Sequence, residues 1–311
     1  MAKLIERQVV LIKNEGAYGS DPTPTAAVNA IPVIEPKIEF DPEKIERKHA
    51  LPSRGKIKPL IGKRATKFSF KMEYFGSGTA VTPPRIGDLL EGCGFSETIG
   101  GSDVSYSPGQ TSLKSNTIYS YIDGLLYKIL GSVGSFKMAG KTGKPVEFAF
   151  DMMGLYQDDA DAAIVVPTFE SNYKIPPQLM GITFTLDSIT TFVLREFNID
   201  MGIPMIRRED MVGVDGYAGF MVGKQNPTGN LIIEGTPKAT YDFLSKFEAA
   251  TEVAATLVIG AVAGNKLTIT LPSISYTDMK INDADGLVVF ELPISLNLNS
   301  GNGSEITLKH S

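Results

Sequence analysis

The chain has 311 residues, 42% of them hydrophobic and 21% charged, and its formal net charge at pH 7 is −5. This length accommodates one large domain or two ordinary ones. No apolar run approaches the length of a bilayer span and the amino terminus lacks a secretory cleavage site, so we expect a soluble chain without a membrane partner that folds in a cytoplasm.

Most of the chain is typical of β structure. Short stretches in which apolar and polar residues alternate are bounded by turn residues, which predicts a mainly β protein. Clear examples are residues 67–75, 146–152, 266–271 and 287–299.

Two stretches are predicted to be helices, residues 82–92 and 236–250, and both begin with Thr-Pro. Thr82 and Thr236 are the predicted N-caps. The proline that follows each threonine takes the first helical position, where a missing N–H has no cost.

Residues 132–145 read SVGSFKMAGKTGKP and contain the Gly-Lys-Thr of a phosphate-binding loop. Such a loop has four residues between its first glycine and Gly-Lys-Ser/Thr, whereas five residues separate Gly134 from Gly140. The segment also leads into an alternating strand pattern where a phosphate loop requires a helix. We predict two strands joined by a glycine-rich turn. A nucleotide-dependent enzyme that uses Lys141 is the alternative.

An internal repeat organises the chain. Residues 35–73 align without a gap with residues 196–234 at an offset of 161, with eight identities where about two or three are expected from residue frequencies. We therefore predict an N-terminal arm of residues 1–34 and two tandem domains, residues 35–165 and 166–311. A single large sandwich with chance similarity is the alternative.

The repeat also extends to the Gly-Lys-Thr segment. At an offset of 142, Val146 and Phe148 align with Val288 and Phe290, which places Lys141 opposite Asp283. An acid at that position is incompatible with a phosphate nest, so the repeat also favours the glycine-rich turn.

The strongest charge feature lies between residues 44 and 71. Ten basic residues there accompany one acid, so the segment carries +9 and the remainder of the chain −14. This pattern suits subunits that dock a basic limb onto an acidic body, and a solvated lysine-rich hairpin fits equally well. The equivalent residues 205–232 are balanced in charge, which argues against a duplicated nucleic-acid-binding surface.

The sequence predicts no catalytic residue, metal site or cofactor. The acidic clusters at residues 157–162 and 282–286 lack the length and closing glutamate of a helix-loop-helix calcium site. The single cysteine, Cys93, excludes an intramolecular disulfide. We expect it to be buried and inert, because only His49 and His310 are available as its base.

The N-terminal arm reads IKNEGAYGSDPTPTAAVNAIPV from residue 12 to residue 33. Together with the repeat, the long charged hairpins and one helix per unit, it resembles tail tube proteins of long-tailed, non-contractile bacteriophages. In that family a Glu-x-x-Tyr-Gly-x-Asp-Pro-x-Pro-Thr segment precedes the first strand, and the repeated unit resembles the same family over nearly the whole chain. The matching positions are Glu15, Tyr18, Gly19, Asp21, Pro22, Pro24 and Thr25.

The resemblance implies two tandem tail-tube-type β-sandwich or barrel domains, each with one short flanking α-helix and a long β-hairpin. It implies a non-enzymatic virion protein, made in the bacterial host cytoplasm, whose rings stack into a hollow tube that delivers phage DNA. A two-domain subunit implies trimeric, pseudo-sixfold rings in preference to hexamers. A monomeric β-sandwich adhesin or carbohydrate-binding protein is the alternative function.

Partners and contact surfaces follow from the same resemblance. Double-stranded DNA would pass transiently without specific binding, and tape-measure, tail-terminator and distal tail proteins would join the assembly. We expect an acidic lumen, because negative charge repels phosphates. Ring-to-ring contacts are expected at the hairpins around residues 44–58 and 205–219. The candidate contact residues are Arg47, Lys48, Arg54, Arg207, Arg208, Asp210 and Asp215.

We expect reversal of two charges in the first hairpin, Lys48→Glu with Arg54→Glu, to reduce the stacking of purified protein, because limb-to-body attraction would become repulsion. Electron microscopy of concentrated protein measures the effect. Tube assembly equal to that of the unmodified protein would contradict the assignment of these residues.

Overall fold

The computed structural model describes residues 3–50, 52, 55–109, 113–169, 174–298 and 303–311. The predicted mainly β fold is confirmed. In chain order the strands are β1 (Gln8–Asn14), β2 (Ala30–Ile31), β3 (Ile34–Ile45), β4 (Leu60–Glu73), β5 (Phe95–Ile99), β6 (Val104–Pro108), β7 (Asn116–Ile122), β8 (Leu125–Lys141), β9 (Glu147–Leu155), β10 (Ala160–Asp161), β11 (Thr183–Leu186), β12 (Leu194–Asp200), β13 (Met205–Glu209), β14 (Tyr217–Val222), β15 (Thr228–Glu234), β16 (Val253–Ile259), β17 (Leu267–Tyr276), β18 (Lys280–Ala284), β19 (Leu287–Leu296) and β20 (Thr307–His310). The helices are α1 (Ile86–Gly92) and α2 (Phe243–Glu248).

Eight strands form one continuous antiparallel sheet, which we call the main sheet. Its order is β3–β4–β9–β8–β12–β15–β19–β18. The first four strands belong to the first half of the chain (β1–β10) and the last four to the second half (β11–β20). β8 and β12 join the halves through five residue pairs, from Lys137 opposite Asp200 to Lys141 opposite Glu196. We call this pairing the internal junction.

A second layer of strands, the outer layer, covers one face of the main sheet. In it β1 pairs with β2 and β7, and β7 pairs with the first part of β8. The remaining strands follow the order β5–β6–β20–β17–β16–β11. β8 and β17 are long enough to pair in both layers, since the end of β17 also pairs with β19. The predicted N-terminal arm therefore contains a strand that is paired along its full length.

The hydrophobic core lies between the two layers. Alternate side chains of the inner strands β4, β9, β8, β12, β15 and β19 point into it, as the pleat of a strand requires. The ring centroids of Phe70 and Phe150 are 5.4 Å apart, and Phe136 lies 5.8 Å from Phe150. Phe197 and Ile199 extend the same cluster across the internal junction. One core therefore serves both halves, and the division into two domains remains a prediction.

Both predicted N-caps are wrong. α1 begins at Ile86 with Arg85 at the N-cap, and the backbone N–H of Thr82 donates to Thr79 in a separate turn. The physical reason is the second proline, Pro84, which disfavours helical backbone at the residue before it and delays the helix start.

The second helix starts late for a related reason. Pro237 opens a turn in which the backbone N–H groups of Thr240 and Tyr241 donate to its carbonyl oxygen. This turn does not continue into α2, whose N-cap is Asp242. The Asp242 carboxylate accepts a hydrogen bond from the backbone N–H of Ser245 at 3.1 Å.

The predicted glycine-rich turn of the Gly-Lys-Thr segment is confirmed. β8 runs to Lys141 and β9 begins at Glu147. Gly143 has a φ of 81°, a left-handed conformation that glycine adopts without strain. The Lys144 backbone N–H donates to the Lys141 carbonyl at 3.0 Å and closes the turn.

The predicted alignment of Lys141 with Asp283 is wrong by one residue. Ala139 lies opposite Glu147 in the first half, and Asn282 lies opposite Val289 in the second. Glu147 is equivalent to Val289 at the offset of 142, so Ala139 is equivalent to Asn282 and Lys141 is equivalent to Ala284. The shift arises because β18 and β19 are joined by a tight two-residue Asp-Gly turn with positive φ at both positions, shorter than the turn after β8.

Cys93 and His310 are both buried, so the prediction of a buried cysteine is confirmed. Burial raises the pKa of the Cys93 thiol, which keeps it protonated. His310 hydrogen-bonds through Nδ1 to the Tyr74 hydroxyl at 2.8 Å and through Nε2 to the Ser77 hydroxyl at 3.0 Å. Burial lowers the pKa of His310 below its usual range. None of the helices in the described ranges is long and apolar enough to be a membrane-span candidate.

We expect the buried His310 to make stability depend on pH. A histidine whose folded pKa is depressed contributes stability that is complete above its unfolded pKa and falls as the pH drops below it. The free energy of unfolding of His310→Gln should therefore decrease less between pH 7.5 and 5.5 than that of the unmodified protein, measured by urea denaturation.

The matched control is His49→Gln, which changes the exposed histidine. Burial beside Glu91 raises the pKa of Asp88 to about 6, so Asp88 titrates in the same range with the opposite sign. Asp88 is present in the unmodified protein and in both variants, so its contribution cancels when they are compared. An identical pH dependence in the unmodified protein and His310→Gln would contradict the prediction.

Candidate functional site

The main sheet has a charged face opposite its core face. Residues that alternate with the buried ones point to it, because successive side chains of a strand point to opposite faces. Its acidic residues are Glu35, Glu39, Asp41, Glu73, Glu147, Asp151, Glu196, Asp200, Glu234 and Glu291. Its basic residues are Lys37, Lys67, Lys71, Lys137, Lys141, Arg195 and Lys280. Acids therefore outnumber bases on this face.

Every one of these basic side chains forms an ion pair with a carboxylate of the same face. The pairs are Lys37–Glu39, Lys67–Asp41 at 3.3 Å, Lys71–Glu147 at 3.3 Å, Lys137–Asp200 at 2.8 Å, Lys141–Glu196 at 3.6 Å, Arg195–Glu234 at 4.0 Å and Lys280–Glu291 at 3.8 Å. In the described part of the chain, Glu73 and Asp151 form no ion pair. The positive charges of the face are thus neutralised locally, and the surplus is negative.

Two of these ion pairs cross the internal junction. Lys137 pairs with Asp200 and Lys141 with Glu196, and each pair joins residues directly opposite each other on β8 and β12. Between them Met138 lies opposite Ile199, and both side chains are buried in the core. The junction therefore combines an apolar contact on the core side with charge complementarity on the other side.

The main sheet ends in two strands that have one partner each within the described ranges. β3 pairs only with β4, and β18 pairs only with β19. Each outer edge presents backbone N–H and C=O groups that another strand can pair with. Large apolar side chains are also exposed there, among them Phe40 on β3 and Ile281 on β18, whose exposed fraction is 68%.

The β13–β14 hairpin of the second half packs against the charged-face side of the first half. Tyr217 and Phe220 contact Ala65, Val133 and Met153 in a small apolar cluster. Around this cluster, ion pairs join the β13–β14 hairpin to the β3–β4 hairpin of the first half. They are Arg207–Asp41 at 2.7 Å, Arg64–Asp215 at 2.6 Å and Lys63–Glu209 at 2.5 Å. Part of the basic limb is therefore engaged within the chain.

The structure places the candidate contact residues of the second hairpin in two settings. Arg207 and Asp215 form the ion pairs just described with the first half. The Asp210 carboxylate accepts a hydrogen bond from the Val212 backbone N–H at 2.9 Å within its own turn. Arg208 is exposed.

In the first hairpin, the Arg47 guanidinium donates to the Lys58 carbonyl oxygen at 3.1 Å and ties the two strands together. Lys48 is exposed. Arg54 lies outside the described residues. The role of all seven residues in ring-to-ring contact stays a prediction.

An apolar tip between β13 and β14 was missed by the charge-based reasoning. Met211, Val212 and Val214 have almost fully exposed side chains. Exposed apolar groups clustered at a hairpin tip mark a contact surface. The signal in the sequence is MVGV within a turn, where small polar residues are typical.

Glu15 of the N-terminal motif is a buried carboxylate with four donors. It accepts hydrogen bonds from the backbone N–H groups of Gly19 and Gly131, both at 2.7 Å. It also accepts from the hydroxyls of Ser115 at 2.6 Å and Thr117 at 2.7 Å. These donors replace the water that the carboxylate loses on burial and hold the segment against β7 and β8.

Tyr18 of the same motif connects the two halves of the chain. Its hydroxyl donates to the Gly131 carbonyl at 3.0 Å and accepts from the Phe220 backbone N–H at 2.6 Å. Burial raises the pKa of Tyr18, which keeps the hydroxyl protonated as a donor. Asp21 accepts from the Tyr119 hydroxyl and lies 3.3 Å from the Lys128 ammonium. The motif therefore fixes the position of the β13–β14 hairpin.

Fold and surface together define a class: a mainly β protein whose principal sheet has one charged face and two open edges. In the described ranges, His, Cys, Asp and Glu side chains do not gather into a group that could hold a metal ion.

Residues 6–303 match the model of the phage tail tube protein family, so the chain belongs to that family. Membership makes it a structural component of a phage virion that self-assembles into a tube with other phage tail proteins. No curated protein matches the sequence.

We expect Glu15→Ala to lower the free energy of unfolding by about 3 kcal/mol or more, because four buried donors lose their acceptor. Urea denaturation followed by far-UV circular dichroism measures the change. Glu6→Ala, at an exposed glutamate of the same segment, is the control and should change stability by less than about 0.5 kcal/mol. Equal effects of the two substitutions would contradict the buried-anchor interpretation.

Proposed function

We propose that this protein polymerises as stacked rings into the hollow tail tube through which phage DNA reaches the host cell. The observation that carries the proposal is the main sheet, which has an apolar core on one face, charges on the other and an unpaired strand at each end. A ring of copies pairs every such edge, since a sheet closed on itself has none. The charged face then lines the lumen.

We further propose that the chain is a tandem duplication and that three copies form a ring. The order β3–β4–β9–β8 in the first half matches β12–β15–β19–β18 in the second, and each half carries one short helix. Phe148 lies opposite Met72, and Phe290 lies opposite Ile233, in agreement with the offsets of 142 and 161. Three copies supply six such units, the pseudo-sixfold arrangement.

The charge pattern supports a conduit rather than a DNA-binding surface. Binding to a duplex requires cations that are free to replace its counterions. The cations of the charged face are instead paired with neighbouring carboxylates, and the surplus carboxylates repel phosphates. A duplex therefore passes along this wall without being held.

Other features of the proposal concern assembly. The exposed apolar tip of the β13–β14 hairpin, together with the seven candidate contact residues, would join successive rings. Tape-measure, tail-terminator and distal tail proteins would be the further partners, with synthesis in the host cytoplasm before incorporation into the virion. An adhesin or carbohydrate-binding protein does not require two open sheet edges, and no feature described above favours that alternative.

Electron microscopy and mass photometry of concentrated protein test the proposal. We expect rings or hollow filaments, with a ring mass of three 33.5 kDa chains. Particles that remain monomers at every concentration would overturn the proposed function. Closed rings of six chains would retain the tube and overturn the trimer.

We expect Glu73→Lys with Asp151→Lys to convert the charged face into a DNA-binding surface, because neither carboxylate forms an ion pair in the described part of the chain and their replacement introduces two lysines. Below the assembly concentration, the variant should retard a duplex in a gel at about 50 mM salt and release it by about 200 mM. The unmodified protein should retard none.

The control is Glu6→Lys with Glu248→Lys, an identical charge change at exposed sites away from the charged face. Retention of DNA by both variants to the same degree would show that net charge, rather than this face, is responsible.

A further inference from the structure

The internal junction offers a template for the contact between neighbouring copies. β8 is the last strand of the first four-stranded unit, and β12 is the first strand of the second unit. Their counterparts at the two ends of the main sheet are β18 and β3, which are unpaired on their outer sides in the described chain. In a ring of copies, β18 of one copy occupies the position of β8, and β3 of the next copy occupies that of β12.

The strand registers fix which residues correspond. Over residues 37–39, β3 and β4 pair with the same register as β12 and β15 when both are displaced by 161, since Ile38 lies opposite Phe68 and Ile199 lies opposite Gly229. On this basis Glu39 corresponds to Asp200.

The β18–β19 register likewise makes Lys280 the counterpart of Lys137. Lys137 lies two residues before Ala139, which is opposite Glu147. Lys280 lies two residues before Asn282, which is opposite Val289, the equivalent of Glu147. Ile281 is then the counterpart of Met138.

We propose that β18 of one copy pairs antiparallel with β3 of the next, with Lys280 opposite Glu39, Ile281 opposite Ile38 and Asn282 opposite Lys37. This inference rests on the proposed ring assembly and adds to it the two edges, their direction and their register. It follows from transferring three residue pairs of the internal junction, Lys137 with Asp200, Met138 with Ile199 and Ala139 with Asn198, to the ends of the sheet.

The residues brought together are chemically complementary. Lys280 and Glu39 repeat the charge pairing of Lys137 and Asp200, which lie 2.8 Å apart at the internal junction. Ile281 and Ile38 repeat the apolar contact between Met138 and Ile199.

The pairing also covers the exposed Ile281 side chain, which in a single copy is 68% accessible to solvent. The transfer stops at Lys37, because β3 has a β-bulge between Ile34 and Lys37 whereas the bulge of β12 lies between Leu194 and Glu196.

A displaced register is less favourable. If β18 moved by one residue along β3, Ile281 would lie opposite a β3 residue that points to the charged face, because a one-residue slip exchanges the two faces of a strand. Movement by two residues in one direction would place Lys280 opposite Lys37 and remove the charge pairing. Movement by two residues in the other direction would place Lys280 opposite Asp41, a carboxylate that is already paired with Lys67 and Arg207. The chemistry of the two edges therefore favours the transferred register.

Cysteine cross-linking tests the pairing. Directly opposite residues of adjacent strands have Cα atoms about 4.5–5.5 Å apart, within the range of a disulfide. We expect the double variant Asn282→Cys with Lys37→Cys to form covalent dimers and trimers under mild oxidation, seen by non-reducing electrophoresis. The matched control, Asn282→Cys with Asp41→Cys, displaces one thiol by four residues along β3 and should cross-link at least about tenfold less.

Two further kinds of sample identify which thiols produce the cross-linked bands. Each single variant retains the buried Cys93 and reports any background from that thiol. A mixture of the Asn282→Cys and Lys37→Cys single variants should give dimers only, which shows that the bond joins two chains.

The outcomes separate this inference from the proposed function. Rings in the microscope with efficient cross-linking at 282 and 37 support both. Rings with no excess of cross-linking over the displaced control overturn the register and leave the tube proposal intact. Particles that stay monomeric without cross-linking overturn both.

Discussion

Unpaired backbone at the two edges of the main sheet is the constraint on which the rest of this structure depends. Eight strands share one apolar core, yet β3 and β18 each have a second row of N–H and C=O groups to satisfy. Within the chain the same problem is solved where β8 meets β12, by backbone pairing, buried Met138 and Ile199, and two ion pairs. The core, the charged face and the hairpins are all arranged around this sheet, and the proposed ring would pair both of its ends.

Charge on the main sheet is organised by short cross-strand distances. Neighbouring strands bring opposite charges close enough to pair, and such pairs contribute modestly to stability where they are exposed. Their larger effect is on what the face can bind. Each lysine or arginine is occupied by a carboxylate of the same face, so a polyanion meets fixed dipoles and surplus acids in place of mobile cations. The same residues thus join strands and, in the proposed tube, would keep the surface from holding a duplex.

Much of the fold could be predicted from local pattern, because alternation reports directly which residues of a strand are buried. The strands that contain Phe70 and Phe150 followed from it. The turn after Lys141 followed from its glycines and the strand pattern beyond it, and the buried Cys93 from the lack of a suitable base. The caps at Thr82 and Thr236 failed because neighbouring prolines determine where each helix starts. The equivalence of Lys141 with Asp283 failed because a turn shorter by one residue changes register without leaving a local signal.

The candidate site was less accessible to sequence reasoning than the fold. Glu15, Tyr18 and Asp21 were noticed as a motif, but their hydrogen-bond partners lie about a hundred residues or more away in the chain, so no spacing rule reveals them. The contact of Arg64 with Asp215 was invisible for the same reason. The open edges of the main sheet have no signal in the sequence, since strand order is set by long-range pairing.

In the proposed ring, the presence of both units in one chain would also affect the kinetics of assembly. Every second seam would already be made when a subunit folds, so three seams between chains would remain in place of six. Each seam within the chain forms at the high effective concentration that a tether provides, independent of how much protein the cell contains. In the proposed ring, a chain that carries both units would therefore halve the number of seams that depend on protein concentration and would fix the alternation of the two kinds of unit.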